Sequence, residues 1–199
     1  MPQRMGKPSN APTMRRLTVF NSVSLDGYFV DAKGGMGWAH GREDEEWKAF
    51  VAGNASGEGV LLFGRVTYQM MASFWPTPQG MEHFPDVARR MNSAAKVVFS
   101  RTLSEAPWNN TRLVTGDLAQ EVRRMKGEGG ADLVILGSGS IVSQLAGLGL
   151  VDEFQVVVVP VALGGGRTMF EGIGPTALRR TSARVFGNGN VLLCYAPAT

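Results

Sequence analysis

Three short stretches place small and basic residues where apolar runs stop: FGRVTY at 63–68, FSRTL at 99–103 and LGSGS at 136–140. In the first, Gly64 lets the chain turn sharply, and Arg65 and Thr67 stand at the start of a helical pattern. Free N–H groups and the helix dipole favour an anion at such a place. A guanidinium adds two-pronged recognition of phosphate. The plainer reading is a surface arginine beside a threonine cap. In the second stretch, Ser100 and Arg101 follow an apolar run directly. A hydroxyl and a guanidinium at a sheet's end suit a ribose 2′-phosphate, which favours NADPH over NADH. A solvated arginine is the plainer alternative. In the third, Gly137 and Gly139 flank Ser138, and Ser140 and Ile141 follow. Bare backbone there lets a pyrophosphate approach a helix start. The motif is G-x-G alone, since Val142 stands where a dinucleotide fingerprint has its third glycine. Each stretch is weak by itself. Three of them after three successive strands match the three phosphate-type contacts of a dinucleotide.

Other candidates lie on either side. SLDGYF (24–29) offers Asp26 as a carboxylate facing a substrate, or as a turn residue. GMGWAHGREDEEW (35–47) offers Trp38 and Glu43 for substrate contact; its acids also suit a solvated first helical turn. In ALGGGRTMFEG (162–172), Gly165 and Gly166 either approach a cofactor or belong to a long turn. His40 and His83 read as loop residues, and no metal-type cluster of Cys and His is present in the sequence.

These residues need a frame. Apolar runs at 17–23, 60–63, 96–100, 133–136, 154–161 and 191–196 read as strands. Helical spacing appears over 43–51, 66–74, 117–126 and 140–150. Asp117 reads as an N-cap. Strands alternating with helices predict an α/β fold with a mostly parallel sheet. GNGN at 187–190 predicts a hairpin and an antiparallel edge. FWPTPQ (74–79) reads as a rigid loop.

With 44% hydrophobic and 19% charged residues, the chain of 199 can bury a proper core. The net charge of +3 belongs to the N-terminus, where Arg4, Lys7, Arg15 and Arg16 precede the first acid, Asp26. Removing those four from the 20 basic residues leaves the body one charge negative against its 17 acids. The sequence therefore predicts a disordered tail over 1–14, one domain over 15–199 and no nucleic-acid partner. No run approaches the roughly 18 apolar residues of a membrane span. The single cysteine, Cys194, fits a buried small hydrophobe in a cytoplasmic protein.

Taken in order, S-L-D-G at 24, G-R-x-T-Y at 64–68, K-V-V-F-S-R at 96–101, L-G-S-G-S at 136–140 and V-D-E-F followed by P-V-A-L-G-G-G up to 166 resemble the dihydrofolate reductase-like superfamily. The similarity covers about residues 15–196 and is nearest the reductase domain of riboflavin-biosynthesis deaminase/reductases. The resemblance implies a three-layer fold with an antiparallel C-terminal edge hairpin, an NADPH-dependent reductase and a homodimer. It implies that Gly64, Arg65 and Thr67 hold phosphate, Ser100 and Arg101 the 2′-phosphate, and Gly137, Ser138, Gly139, Ser140 and Ile141 the pyrophosphate. Gly165 and Gly166 would lie toward the nicotinamide, and Asp26 would face the substrate as the catalytic carboxylate. The substrate it implies is of the 5-amino-6-(5-phosphoribosylamino)uracil type, with a pterin-like ring second. A nucleotide-binding module without catalysis is the alternative. Tyr28 stands where the riboflavin enzymes often carry a basic residue.

Overall fold

The computed structural model describes residues 14–41, 44–55 and 58–198. Glu43 and all of the predicted tail except Met14 lie outside them. The elements run β1 (Leu17–Ser24), β2 (Tyr28–Asp31), α1 (Glu45–Ala55), β3 (Val60–Gly64), α2 (Arg65–Ala72), α3 (Pro78–His83), α4 (Pro85–Ser93), β4 (Lys96–Phe99), β5 (Thr111–Val114), α5 (Leu118–Gly127), β6 (Leu133–Leu136), α6 (Gly139–Gly147), β7 (Glu153–Val159), β8 (Gly166–Thr168), β9 (Leu178–Val185) and β10 (Val191–Pro197).

Eight strands form one sheet in the order β5-β4-β3-β6-β1-β7-β10-β9, and β2 pairs with β8 apart from it. The pairs from β5 through β7 are parallel; β10 runs antiparallel to β7 and to β9. This is the mostly parallel sheet with an antiparallel edge hairpin that the sequence predicts. Neighbouring residues on a strand point to opposite faces. On β3, Leu62 joins Leu17, Ile135, Val122 and Leu145 in one buried cluster. Phe63 joins Tyr68, Met91 and Trp108 in the other. Helices α5 and α6 supply the first cluster and α2 and α4 the second, so the sheet is the middle of three layers.

All four residues of β4 are buried, including Lys96. Its ammonium donates to the carbonyls of Asn92 at 3.3 Å, Ala94 at 2.7 Å and Asn109 at 3.0 Å. It also sits 4.5 Å from the centre of the Trp108 ring. The cation thus ties the C-terminal end of α4 to the loop before β5.

The differences from the predicted elements have local causes. The helix expected over 140–150 stops at Gly147, because Leu148 has left helical geometry and Gly149 is at φ 65°. The loop expected over 74–79 ends at Thr77, whose hydroxyl accepts from Gly80 N–H at 3.3 Å and starts α3 with Pro78. The Gly-rich loop over 162–172 contains strand β8, held by pairing with β2 rather than by any apolar run of its own.

Candidate functional site

The chain runs outward from β3 to β4 and β5, then returns to place β6 on the other side of β3. Crevices outside the carboxyl ends of strands at such a reversal are where open α/β sheets bind ligands. A cavity of about 1040 Å³ opens there. It takes in the carboxyl ends of β3, β4 and β5, the turn that follows β6, and the starts of α2, α5 and α6. Gly64, Arg65, Thr67, Ser100, Arg101, Gly137, Ser138, Gly139, Ser140 and Ile141 all line it. The three stretches that looked separate in the sequence therefore meet in one place.

The three helix starts are not alike. Asp117 caps α5, accepting from Gln120 N–H at 2.7 Å. Neither α2 nor α6 has a side-chain cap, so the first amides of α2 and those of Gly139 and Ser140 on α6 can face an anion, whereas Ile141 N–H already donates to Ser138 O at 2.9 Å. Gly137 lies at φ 63°, and a Cβ there would come 3.0 Å from Thr67 Cγ2. At Gly139 a Cβ would come 2.4 Å from Phe29 Cζ. Both glycines keep the backbone bare where the cavity wall is tightest.

Charge favours an anion as well. Among the described residues, Arg65, Arg101 and Arg167 line the cavity against one carboxylate, that of Asp117. Arg65 reaches Gln69 Oε1 at 3.0 Å, and Arg167 is 3.4 Å from Glu171. Arg101 is exposed and has no carboxylate partner among the described residues. Ser100 is engaged locally: its hydroxyl accepts from the amides of Thr102 at 3.1 Å and Leu103 at 3.0 Å. It shapes the turn that presents Arg101. Ile141 is buried in the core, so it offers the cavity little beyond its backbone.

Other expected residues sit elsewhere. Asp26, Trp38, Gly165 and Gly166 do not line the cavity. Asp26 takes the Ser24 hydroxyl at 2.6 Å, Leu163 N–H at 3.1 Å and Gly164 N–H at 2.7 Å. It clamps the loop before β8 to the turn after β1. Trp38 is half-buried and donates to Gly35 O at 3.2 Å. Gly166 is a close-approach residue: a Cβ would come 2.0 Å from Val30 O across the β2–β8 pair. Glu43 lies outside the described residues.

The Ser24 hydroxyl first, then the amides of Gly164 and Leu163, hold the Asp26 carboxyl down at about 2, from an ordinary 3.8. A value depressed in the folded chain means the clamp is in place above about pH 4 and is lost as pH falls through about 2. The amide shifts of Leu163 and Gly164 are expected to titrate with a midpoint near 2, and to stop doing so in Asp26→Asn. A midpoint at the ordinary value would remove the clamp.

A family model, the RibD C-terminal domain, matches residues 15–192. The chain belongs to the RibD C-terminal domain family. The uncharacterized protein YyaP of Bacillus subtilis (strain 168) is 27% identical over 188 residues, spanning 94% of this chain and 97% of YyaP. A solved structure from Shewanella sp. PV-4, provisionally named for riboflavin biosynthesis, superposes with a TM-score of 0.72 at 24% identity, over 92% of this chain and 99% of that one. Dihydrofolate reductase from Enterococcus faecalis, complexed with NADP(H), gives 0.60 at 12% identity over 92% and 97%. These likenesses establish a dihydrofolate reductase-like fold.

In this RibD C-terminal domain, sequence reasoning missed part of the wall. Phe29 and Val30 on β2 and Arg167 on β8 line the cavity, but they arrive through strand pairing with no local signal. Asn21 was also missed. It is buried on β1 and donates to Gly137 O at 3.4 Å. An asparagine inside an apolar strand was the visible signal. The wall tests well against a phosphate-bearing cofactor: bare glycines, two uncapped helices and a free guanidinium all suit phosphate. Among the described residues, no group of His, Cys, Asp and Glu could hold a metal ion, and no helix is long and apolar enough to cross a membrane.

Proposed function

We propose that this RibD C-terminal domain is an NADPH-dependent reductase of a small heterocycle. The 5-amino-6-(5-phosphoribosylamino)uracil type is the first candidate substrate, and a pterin-like ring the second. The observation that carries the reading is the meeting of two uncapped helix starts with Arg65 and Arg101 in one cavity. Bound there, NADPH would supply a hydride to a C=N or C=O carbon. The chain's own residues hold and screen. Arg65 and Arg101 bind phosphate, with Arg101 reading the 2′-phosphate. The amides of Gly139 and Ser140 take the pyrophosphate. Phe29, Val30, Met36 and Ile173 form an apolar wall that excludes water. Asp26, ionised at neutral pH, keeps β8 and its Arg167 in place rather than giving a proton.

Titration of cofactor fluorescence tests the reading. Arg101→Gln should raise the NADPH dissociation constant by about tenfold or more, the worth of one charge-assisted contact, and leave NADH unchanged. Equal affinity of the unaltered protein for the two cofactors would remove the role given to Arg101. NADPH binding without oxidation against either ring would leave a nucleotide-binding module.

The homodimer we propose would form through the sheet face of the edge hairpin, whose outer strand β9 is exposed. Val185, Val191 and Val158 form one cross-strand row, and Ala183, Leu193 and Val156 another on the same face. Val185 is 73% exposed. Val185→Asp should convert the dimer to a monomer in sedimentation; a wild-type monomer would rule the assignment out. A cytoplasmic home fits the lone, buried Cys194.

A further inference from the structure

We infer that Ser138 and Thr67 are positioning residues that fix the separation of the two uncapped helix starts, so that one diphosphate-bearing ligand meets both. This rests on the cofactor reading above. The observation behind it is a reciprocal pair of buried hydrogen bonds. Ser138 N–H donates to Thr67 Oγ1 at 3.0 Å, and Gly64 N–H donates to Ser138 Oγ at 2.8 Å. The paired residues are 71 and 74 positions apart in the chain. One bond joins the first turn of α2, and the other the end of β3, to the β6–α6 turn.

Backbone geometry makes a serine at 138 informative. It lies at φ 59° and ψ 57°, a left-handed conformation that glycine adopts freely and L residues rarely do. A serine at a helix N-cap ordinarily turns its hydroxyl onto its own helix. Ser138 does not; its hydroxyl crosses to the other turn. The result is two linked consequences. Helix α6 keeps the amides of Gly139 and Ser140 uncapped, and α2 is tied to it at a fixed distance. Gly137 completes the joint, since any Cβ there would press on Thr67. Both hydroxyl oxygens accept backbone amides, which leaves the bare amides of the first turns and the arginines to meet the anion.

Amide hydrogen exchange together with cofactor titration tests this on the full chain. Thr67→Val removes the acceptor of Ser138 N–H only. If the two bonds form one clamp, it speeds exchange at Gly64 as well as at Ser138, and Ser138→Ala does the same in reverse. Each variant raises the NADPH dissociation constant by about fivefold to tenfold, as one lost hydrogen bond implies. The double variant is no weaker than about the worse single one, because coupled sites are not additive. Thr67→Ser restores binding, and reduced nicotinamide mononucleotide, with one phosphate, binds all variants alike. Exchange at Gly64 that ignores Thr67→Val, or strictly additive losses, would overturn the clamp. A wild-type protein that binds neither NADPH nor NADH would sink the reductase reading instead, while the exchange result still decides the clamp.

Discussion

Gly139→Val is expected to weaken NADPH binding by about a hundredfold or more, the loss of two amide hydrogen bonds to a charged group. The first carbon of the new side chain would lie 2.4 Å from Phe29 Cζ and 2.6 Å from Cε1. Phe29 is buried except where it lines the cavity, so its ring can yield only in that direction. Either its ring moves into the cavity or the start of α6 moves off β2. Both spoil the seat that Gly139 and Ser140 offer the pyrophosphate. Overpacking of this kind costs about 1–3 kcal/mol of stability, so the chain should still fold. Titration of NADPH against Gly139→Val and Gly139→Ala gives the first reading. Phe29→Ala in the Gly139→Ala background gives the second, since deleting the ring should recover part of the binding. Full affinity in Gly139→Val would mean that the cofactor does not use this helix start.

The second large effect concerns stability. Lys96→Ala should destabilise the chain by about 3 kcal/mol, combining a vacated buried volume with carbonyls left without a donor. That is a large part of the roughly 5–15 kcal/mol that keeps a domain folded. Lys96→Met separates the two causes, because it keeps the volume and loses the donors. It should fall between wild type and alanine in denaturant unfolding; a methionine variant as stable as wild type would show that the ammonium does not hold the Asn92, Ala94 and Asn109 carbonyls. Burial pushes the Lys96 ammonium down to about 8, from an ordinary 10.5. Between those values the unfolded chain binds the proton and the folded chain does not, so stability should rise with pH across that window. Below about 8 the difference disappears. The methionine variant should lack the rise.

How much of this was legible depends on where each element sits. The inner strands β3, β4 and β6 are covered on both faces and read as apolar runs. Strands β5 (TRLV) and β9 (LRRTSARV) were not visible in that way, and they are the two ends of the sheet order. Edge strands carry polar and charged residues because one side meets water or must be kept from pairing. Helix α4 was missed although Pro85 and Asp86 mark its start. For the site, Gly64, Arg65 and the Gly137–Ser140 turn were legible because strand, glycine and helix start follow directly in sequence. Asp26 stands out in the sequence as a carboxylate just after a strand but not as a loop clamp, since its partners Leu163 and Gly164 come 137 and 138 positions later. Arg167 reaches the cavity only because β8 pairs with β2.

The place of β1 in the sheet has a bearing on synthesis. It is the first strand of the sheet, yet Leu17 pairs with Leu133 and Thr18 with Glu153. At a ribosomal rate of about 5–20 residues per second, its neighbours emerge on the order of 10 s after it does. Through that interval LTVFNSVS is an apolar segment with both edges open. The growing chain is most exposed to mispairing before β6 appears, so shielding by a chaperone would matter most during translation of the middle of the chain.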